Sequence, residues 1–281
     1  MSAATIPETV RRLLASQPIE LPIFHPVALK LQKMLSDYDF TVDEVAQVAN
    51  EDMSLASQML KIANSPMYMG RSKVATIKEA VIRLGAQQVI NLVIAASQAS
   101  AHSSTNPALN HYMKELWLHS HGCALGAKWL ANSCGMRGVA EETYLAALLH
   151  DVGKLYLLKS IERLVTAGVI NSMFDDELIT EIFEVMHVEQ GFRLMQHWNF
   201  PTMYCDIIHD HHAEEWDTAN KMLAIVRLVN IACSRIGLGL KHKPDLVLIA
   251  TKEAETLDIT DTQIIELESM LEESREAVLE G

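Results

Sequence analysis

Histidine is the residue type whose placement in this sequence invites a chemical reading. The chain holds twelve of them, and His119, the pair His150-Asp151, His187 and the pair His211-His212 follow one another at intervals of about 31, 36 and 24 residues. Neutral imidazole nitrogens and a carboxylate are ligands that divalent Zn, Fe, Mn and Ni accept. A helical bundle can aim one or two such groups inward from each helix. A mononuclear or binuclear metal centre is the chemistry this set could support, while spacing alone leaves ordinary core or surface histidines as the alternative.

The elements that must position these groups read as helices throughout. Apolar residues recur at helical spacing and no run alternates as a strand would. The pattern predicts helices near 7–16, 26–36, 42–50, 52–63, 77–84 and 87–99, then, after a polar break at His102–Pro107, near 109–134, 139–160, 176–197, 201–212 and 219–236. Two shorter helices follow near 244–256 and 261–279. Thr41 and Glu44 have capping-box spacing, Asp52 is placed to cap the helix that begins near Met53, and Asp261 to cap the last one. Asn64-Ser65 and Gly85 stand where helices end.

Composition restricts the function classes. A net charge of −13, from 23 Lys+Arg against 36 Asp+Glu, argues against a protein built to coat a phosphate backbone. The charge is unevenly placed: from Lys252 onward ten acids face only Lys252 and Arg275, a net −8 that leaves −5 for the rest. No stretch has the uninterrupted apolar length of a membrane span, and the N-terminus has no signal-peptide core, so a cytoplasmic location is expected. Cys123, Cys134, Cys205 and Cys233 form no CxxC pair and read as reduced interior residues rather than as a disulfide or a thiolate metal site.

The stretch Leu148-Leu149-His150-Asp151-Val152-Gly153-Lys154 resembles the signature of the HD superfamily of metal-dependent phosphohydrolases, and Trp117-Leu118-His119-Ser120 followed by Ala124 resembles that family's first histidine helix. The first half sharpens the resemblance. Leu21-Pro22, Pro26, Asp52, Leu55, Leu60, Ala63-Asn64-Ser65, Tyr68, Ala80 and Leu84-Gly85 are similar in order and spacing to the HDOD domain, a regulatory relative of those hydrolases, as is Trp198-Asn199-Phe200-Pro201. The resemblance covers roughly residues 18–240. It implies an all-α, HD-like multi-helix bundle (108–240) with an N-terminal helical subdomain (18–107), followed by an acidic helical extension over 241–281.

The same resemblance implies metal ligation by His119, His150, Asp151, His187, His211 and His212. The distal aspartate of the hydrolases is replaced here by Asn230, a neutral ligand that leaves the metal one anion short. Two functions follow. One is a non-catalytic signal-transduction module whose partner is another signalling protein or a small regulatory ligand. The other is a metal-dependent phosphohydrolase, in which Lys154 would contact phosphate and Asp151 would bridge two metals. Ala213-Glu214-Glu215-Trp216-Asp217 after the histidine pair shows no Gly-Tyr-Pro element, and the sequence has no Walker-type loop. Lys241-His242-Lys243, the nearest basic group, reads as a solvated turn.

Overall fold

The computed structural model describes residues 25–37, 40–65, 68, 70, 72–169 and 176–280. The helix expected over 7–16 lies outside the described residues. Every regular element among them is helical, and they divide into two compact units with the division between Ala101 and His102.

The N-terminal unit contains α1 (Pro26–Asp37), α2 (Val42–Ala49), α3 (Met53–Ala63), α4 (Ile77–Leu84) and α5 (Ala86–Ala101). Buried residues run without interruption from Val89 to Gln98 of α5, as in a helix enclosed on every side, and α1 to α4 pack against it. Local chemistry sets the ends of these helices. Thr41 and Glu44 form the expected capping box, and Asp52 accepts the Leu55 amide at 2.8 Å. Asn64 does more than end a helix: with φ of −100° rather than a left-handed backbone, its side chain pairs with both the amide and the carbonyl of Val74, each at 2.9 Å. It thereby closes the loop between α3 and α4.

The second unit is built on α6 (Pro107–Ser133), capped by Asn106, whose side chain accepts from Ala108 and Leu109. Then come α7 (Ala140–Leu149), α8 (Val152–Thr166), α9 (Asp176–His197), α10 (Thr202–Asp210) and α11 (Lys221–Ile236). The chain ends in α12 (Lys252–Leu257) and α13 (Asp261–Glu280). Helix α6 packs against α7, α8, α11 and α13, while α9 lies on α8 and α10.

Three sequence expectations are corrected. The single helix expected over 139–160 is two, broken at His150-Asp151, because α8 turns away to pack against α9 while apolar periodicity continues through the break. The helix expected near 244–256 shrinks to a 3-10 turn at Leu248–Ala250 and α12. Asp261 is not the cap of α13: Thr260 accepts the Gln263 amide, and the Gln263 side chain answers the Thr260 amide at 3.0 Å.

The acidic C-terminal extension is part of the fold. Leu267 and Leu271 of α13 are fully buried. Gly126 of α6 makes room for α11 and α13, since a β-carbon there would stand 2.7 Å from Val229 and 3.0 Å from Leu271. Two of the extension's acids pair with arginines of α11, Glu253 with Arg227 at 2.7 Å and Glu268 with Arg235 at 2.6 Å.

Candidate metal centre

The break between α7 and α8 brings the sequence-predicted ligands together. His150 ends α7 and Asp151 precedes α8, so the two side chains point into the bundle from the corner itself. Helix α8 then crosses α9 at Gly153. A β-carbon there would lie 1.9 Å from the carbonyl oxygen of His187 and 2.7 Å from the amide of Gly191, so only glycine permits this crossing. The close approach brings His187 to Asp151, and the end of α10 delivers His211 and His212 to the same place.

Asp151 is the centre of the arrangement and is 1% exposed. Its Oδ2 lies 3.4 Å from His119 Nε2 and 3.3 Å from His150 Nε2. Its Oδ1 lies 3.6 Å from His187 Nε2 and 3.5 Å from His211 Nε2. The carboxylate therefore has one oxygen in each of two histidine sets. His119 and His150 face each other Nε2 to Nε2 at 3.3 Å, and His187 and His211 do the same at 3.3 Å. The exposed His212 completes the second set, its ring 4.2 Å from that of His211.

The backbone fixes which nitrogen of each ring faces inward. His119 Nδ1 lies 3.0 Å from the Leu238 carbonyl, His150 Nδ1 2.7 Å from that of Ala147, His187 Nδ1 2.5 Å from that of Phe183 and His211 Nδ1 2.6 Å from that of Ile208. A carbonyl oxygen only accepts, so each Nδ1 carries the proton and donates it. In a neutral ring Nε2 is then a bare lone pair, the tautomer that ligates metals.

Electrostatics separates the two sets. Burial pushes His187 and His211 down to about 3, so at neutral pH their lone pairs confront each other with no proton between them. Asp151 Oδ1, buried and accepting no hydrogen bond among the described residues, faces the same gap. In the first set, burial works against charge on His119, but Cys123 and Asp151 outweigh it and raise its pKa to about 10. Burial also opposes ionisation of Asp151, yet His150 and Lys154 hold its carboxyl well below the usual range. Lys154 reaches only Oδ2 of the carboxylate; Oδ1, which accepts no hydrogen bond, and the facing lone pairs of His187 and His211 fit a divalent cation in the second set.

Asn230 lines the cavity that opens from this centre, together with His119, His187, His211, His212 and Lys154. The cavity has a volume of about 530 Å³. Lys154 Nζ is 2.5 Å from Asp151 Oδ2, so this lysine neutralises the central carboxylate from the cavity side. His209 and Asp210 pair with each other at the surface, outside the cluster.

Two features were not legible as parts of the site. Lys241 and Lys243 are exposed on the solvated turn expected from the sequence and also line the cavity; the chain doubles back after Gly237, and the Lys243 amide bonds the Ser234 carbonyl at 2.8 Å. Cys123, read as a reduced interior residue, is buried with a free thiol, and its Sγ lies 3.6 Å from His119 Nε2. Its signal was its position four residues after His119, which on a helix is the same face.

Comparison with known proteins follows the same lines. The HDOD domain profile matches residues 21–214. The crystal structure of an HDOD domain protein of unknown function from Geobacter sulfurreducens superposes with a TM-score of 0.75 at 26% identity, covering 96% of this chain and 95% of that one. A candidate metal-dependent phosphohydrolase from Shewanella amazonensis SB2B shares the fold with a TM-score of 0.67 at 17% identity over 95% of this chain and 98% of that one. An uncharacterized protein of Treponema pallidum (strain Nichols) is 24% identical over 197 residues, which are 69% of this chain but only 38% of that protein. No helix among the described residues is long and apolar enough to cross a membrane. The profile spans the N-terminal helices and every histidine of the cluster, and the chain belongs to the HDOD family.

Proposed function

We propose that the chain is a signal-transduction HDOD module with a binuclear divalent-metal centre at its core, His119, His150 and Asp151 holding one ion and Asp151, His187, His211 and His212 the other. The observation that carries this reading is the pairing of His187 with His211, two unprotonated Nε2 atoms 3.3 Å apart in front of an unpartnered carboxylate oxygen. Asn230 favours a regulatory over a catalytic role. A neutral amide in place of an anion leaves a divalent cation less well neutralised and changes the acidity of any water it holds.

On this reading the cavity takes a small regulatory ligand, or the face around it takes a signalling protein. A volume of about 530 Å³ suits a small organic molecule, and Lys154, Lys241, Lys243 and Arg227 on its walls favour an anionic one.

The same lysines favour a second reading, hydrolysis of a phosphate ester. There a bound cation would supply charge neutralisation at the phosphoryl oxygens. Lys241 and Lys243 would hold the substrate's outer oxygens, and Lys154 would keep Asp151 oriented.

Metal analysis of protein purified without chelator, combined with a phosphatase and phosphodiesterase panel in Mn, Fe, Ni, Zn and Mg, tests both. The regulatory reading expects about two metal equivalents per chain and no turnover that depends on His150 and Asp151. Metal-dependent turnover lost in a His150→Ala, Asp151→Ala double variant would establish the hydrolase instead. Absence of metal after loading with every one of these ions would overturn both.

A further inference from the structure

Resting on the metal-centre reading, we infer that Cys123 is a thiolate ligand of the first ion, which makes that half of the centre a mixed sulfur, nitrogen and oxygen site suited to zinc. The distances carry the inference. In a tetrahedral zinc site with bonds of about 2.0–2.1 Å to nitrogen and about 2.3 Å to sulfur, the edges between ligands are about 3.3–3.4 Å for two nitrogens, and about 3.6 Å for nitrogen and sulfur. His119 Nε2 to His150 Nε2 is 3.3 Å, His119 Nε2 to Asp151 Oδ2 is 3.4 Å and His150 Nε2 to Asp151 Oδ2 is 3.3 Å. Cys123 Sγ to His119 Nε2 is 3.6 Å. The triangle of His119, His150 and Asp151 thus has edges of tetrahedral length, and so does the edge from Cys123 to His119; a small rotation of the thiol toward His150 and Asp151 would close the fourth corner.

The sulfur also approaches the correct side of the ring. It is closer to Nε2, the nitrogen that faces the centre, than to Nδ1 at 4.0 Å, which is engaged with the Leu238 carbonyl. His119 and Cys123 are one turn apart on α6, both are buried, and with His150 their ligand atoms all lie within 4.8 Å of one another.

Charge gives the reason for a thiolate. Asp151 would be shared between two ions and also neutralises Lys154, and the nearby cavity wall offers the neutral Asn230. One further anion is needed beside the first ion, and apart from the shared Asp151 it is Cys123 that is grouped there with His119 and His150. Cys233, one turn beyond Asn230 on α11 and fully buried, has its Sγ 3.5 Å from that of Cys123. With no ion bound the Cys123 S–H donates to that sulfur; a cation that displaces this proton leaves Cys233 to donate in its turn, without itself binding the ion. A thiolate corner softens the set toward zinc or cobalt and away from manganese and magnesium.

Reconstitution of the full chain with cobalt(II) tests the assignment without recourse to activity. The wild type is expected to show visible ligand-field bands together with a sulfur-to-cobalt charge-transfer band in the near ultraviolet. Cys123→Ser should keep visible bands and lose the charge-transfer band, while Cys233→Ser keeps both. Visible bands without charge transfer in the wild type would overturn the thiolate alone, as would a charge-transfer band that survives Cys123→Ser. Failure of the wild type to bind cobalt or zinc at all would overturn the metal centre and the thiolate with it. X-ray absorption of the zinc-loaded wild type needs no variant: a sulfur scatterer at about 2.3 Å is expected, and a shell of nitrogen and oxygen alone would refute it.

Discussion

Gly153 and His187 meet so closely that a β-carbon on the glycine would lie 1.9 Å from the histidine's carbonyl oxygen. The contact is between main chains, so no rotamer change can relieve a substitution. It sets the distance between the helix that begins beside Asp151 and the helix that carries His187, and hence the separation of the two histidine sets.

Gly153→Ala is therefore expected to push α8 and α9 apart. The cost should reach about 3 kcal/mol or more, the upper end for overpacked interiors, because backbone rather than side chain must move. Urea denaturation would register the loss, and metal analysis should show the second ion depleted. Gly138→Ala is the control, since nothing stands within 4 Å of a β-carbon there.

Asp151 and His187 should differ in how much metal they cost. With one carboxylate oxygen in each set, Asp151→Asn is expected to remove both ions, whereas His187→Ala should halve the metal content and spare the His119–His150 set. Elemental analysis after equilibrium dialysis distinguishes these outcomes. Equal losses in the two variants would contradict a bridging carboxylate.

The folded chain should weaken toward acid. In the unfolded chain His187 and His211 titrate near the ordinary 6.5, but burial takes each down to about 3 in the fold. Between those values the unfolded state binds more protons, so stability is full above about 6.5 and declines as the pH falls toward 3. His119 has the opposite sign and acts in a different range: its contribution is complete below 6.5 and is lost as the pH rises toward about 10. Urea midpoints of metal-free protein at pH 7.5 and pH 5 check the first effect, and a His187→Gln, His211→Gln variant should flatten it.

Arg227 secures the turn that follows the histidine pair. Its guanidinium pairs with the buried Glu253 at 2.7 Å and donates to the carbonyls of Asp210 and Ala213 at 2.9 and 3.0 Å, with its plane 5.0 Å from the Trp216 ring. Arg227→Met leaves a buried carboxylate unpaired, a loss of about 3 kcal/mol or more. Adding Glu253→Leu should recover much of it. Thermal unfolding of the single and double variants measures the difference, and the single variant should also hold the second ion less firmly.

How far the sequence reached follows the range of the interactions. The helices of the N-terminal unit end where local chemistry says they should, because Thr41, Asp52 and Gly85 act within a few residues of themselves. The histidine set was visible for a different reason, through residue type and the resemblance of the His150-Asp151 stretch to a known signature, since intervals of some 24 to 36 residues carry no local constraint. The corner at His150-Asp151 was not, since the apolar pattern runs through it and only the crossing at Gly153 imposes it. Lys241 and Lys243 lie on the exposed turn that was expected, but that this turn borders the cavity follows from a chain reversal after Gly237 that local pattern does not show. A thiolate site was set aside because the cysteines form no CxxC pair; the four-residue spacing that places Cys123 on the face of His119 was not used.

The carbonyl that orients His119 belongs to Leu238, beyond α11 and beyond residue 214 where the family profile ends. A fusion or graft designed on the profile's limits would discard that carbonyl, together with Asn230, Cys233 and the helix that buries Leu267 and Leu271. The portable unit of this protein reaches at least to Leu271, and a shorter segment carried into another chain would bring the histidines without the walls that aim them.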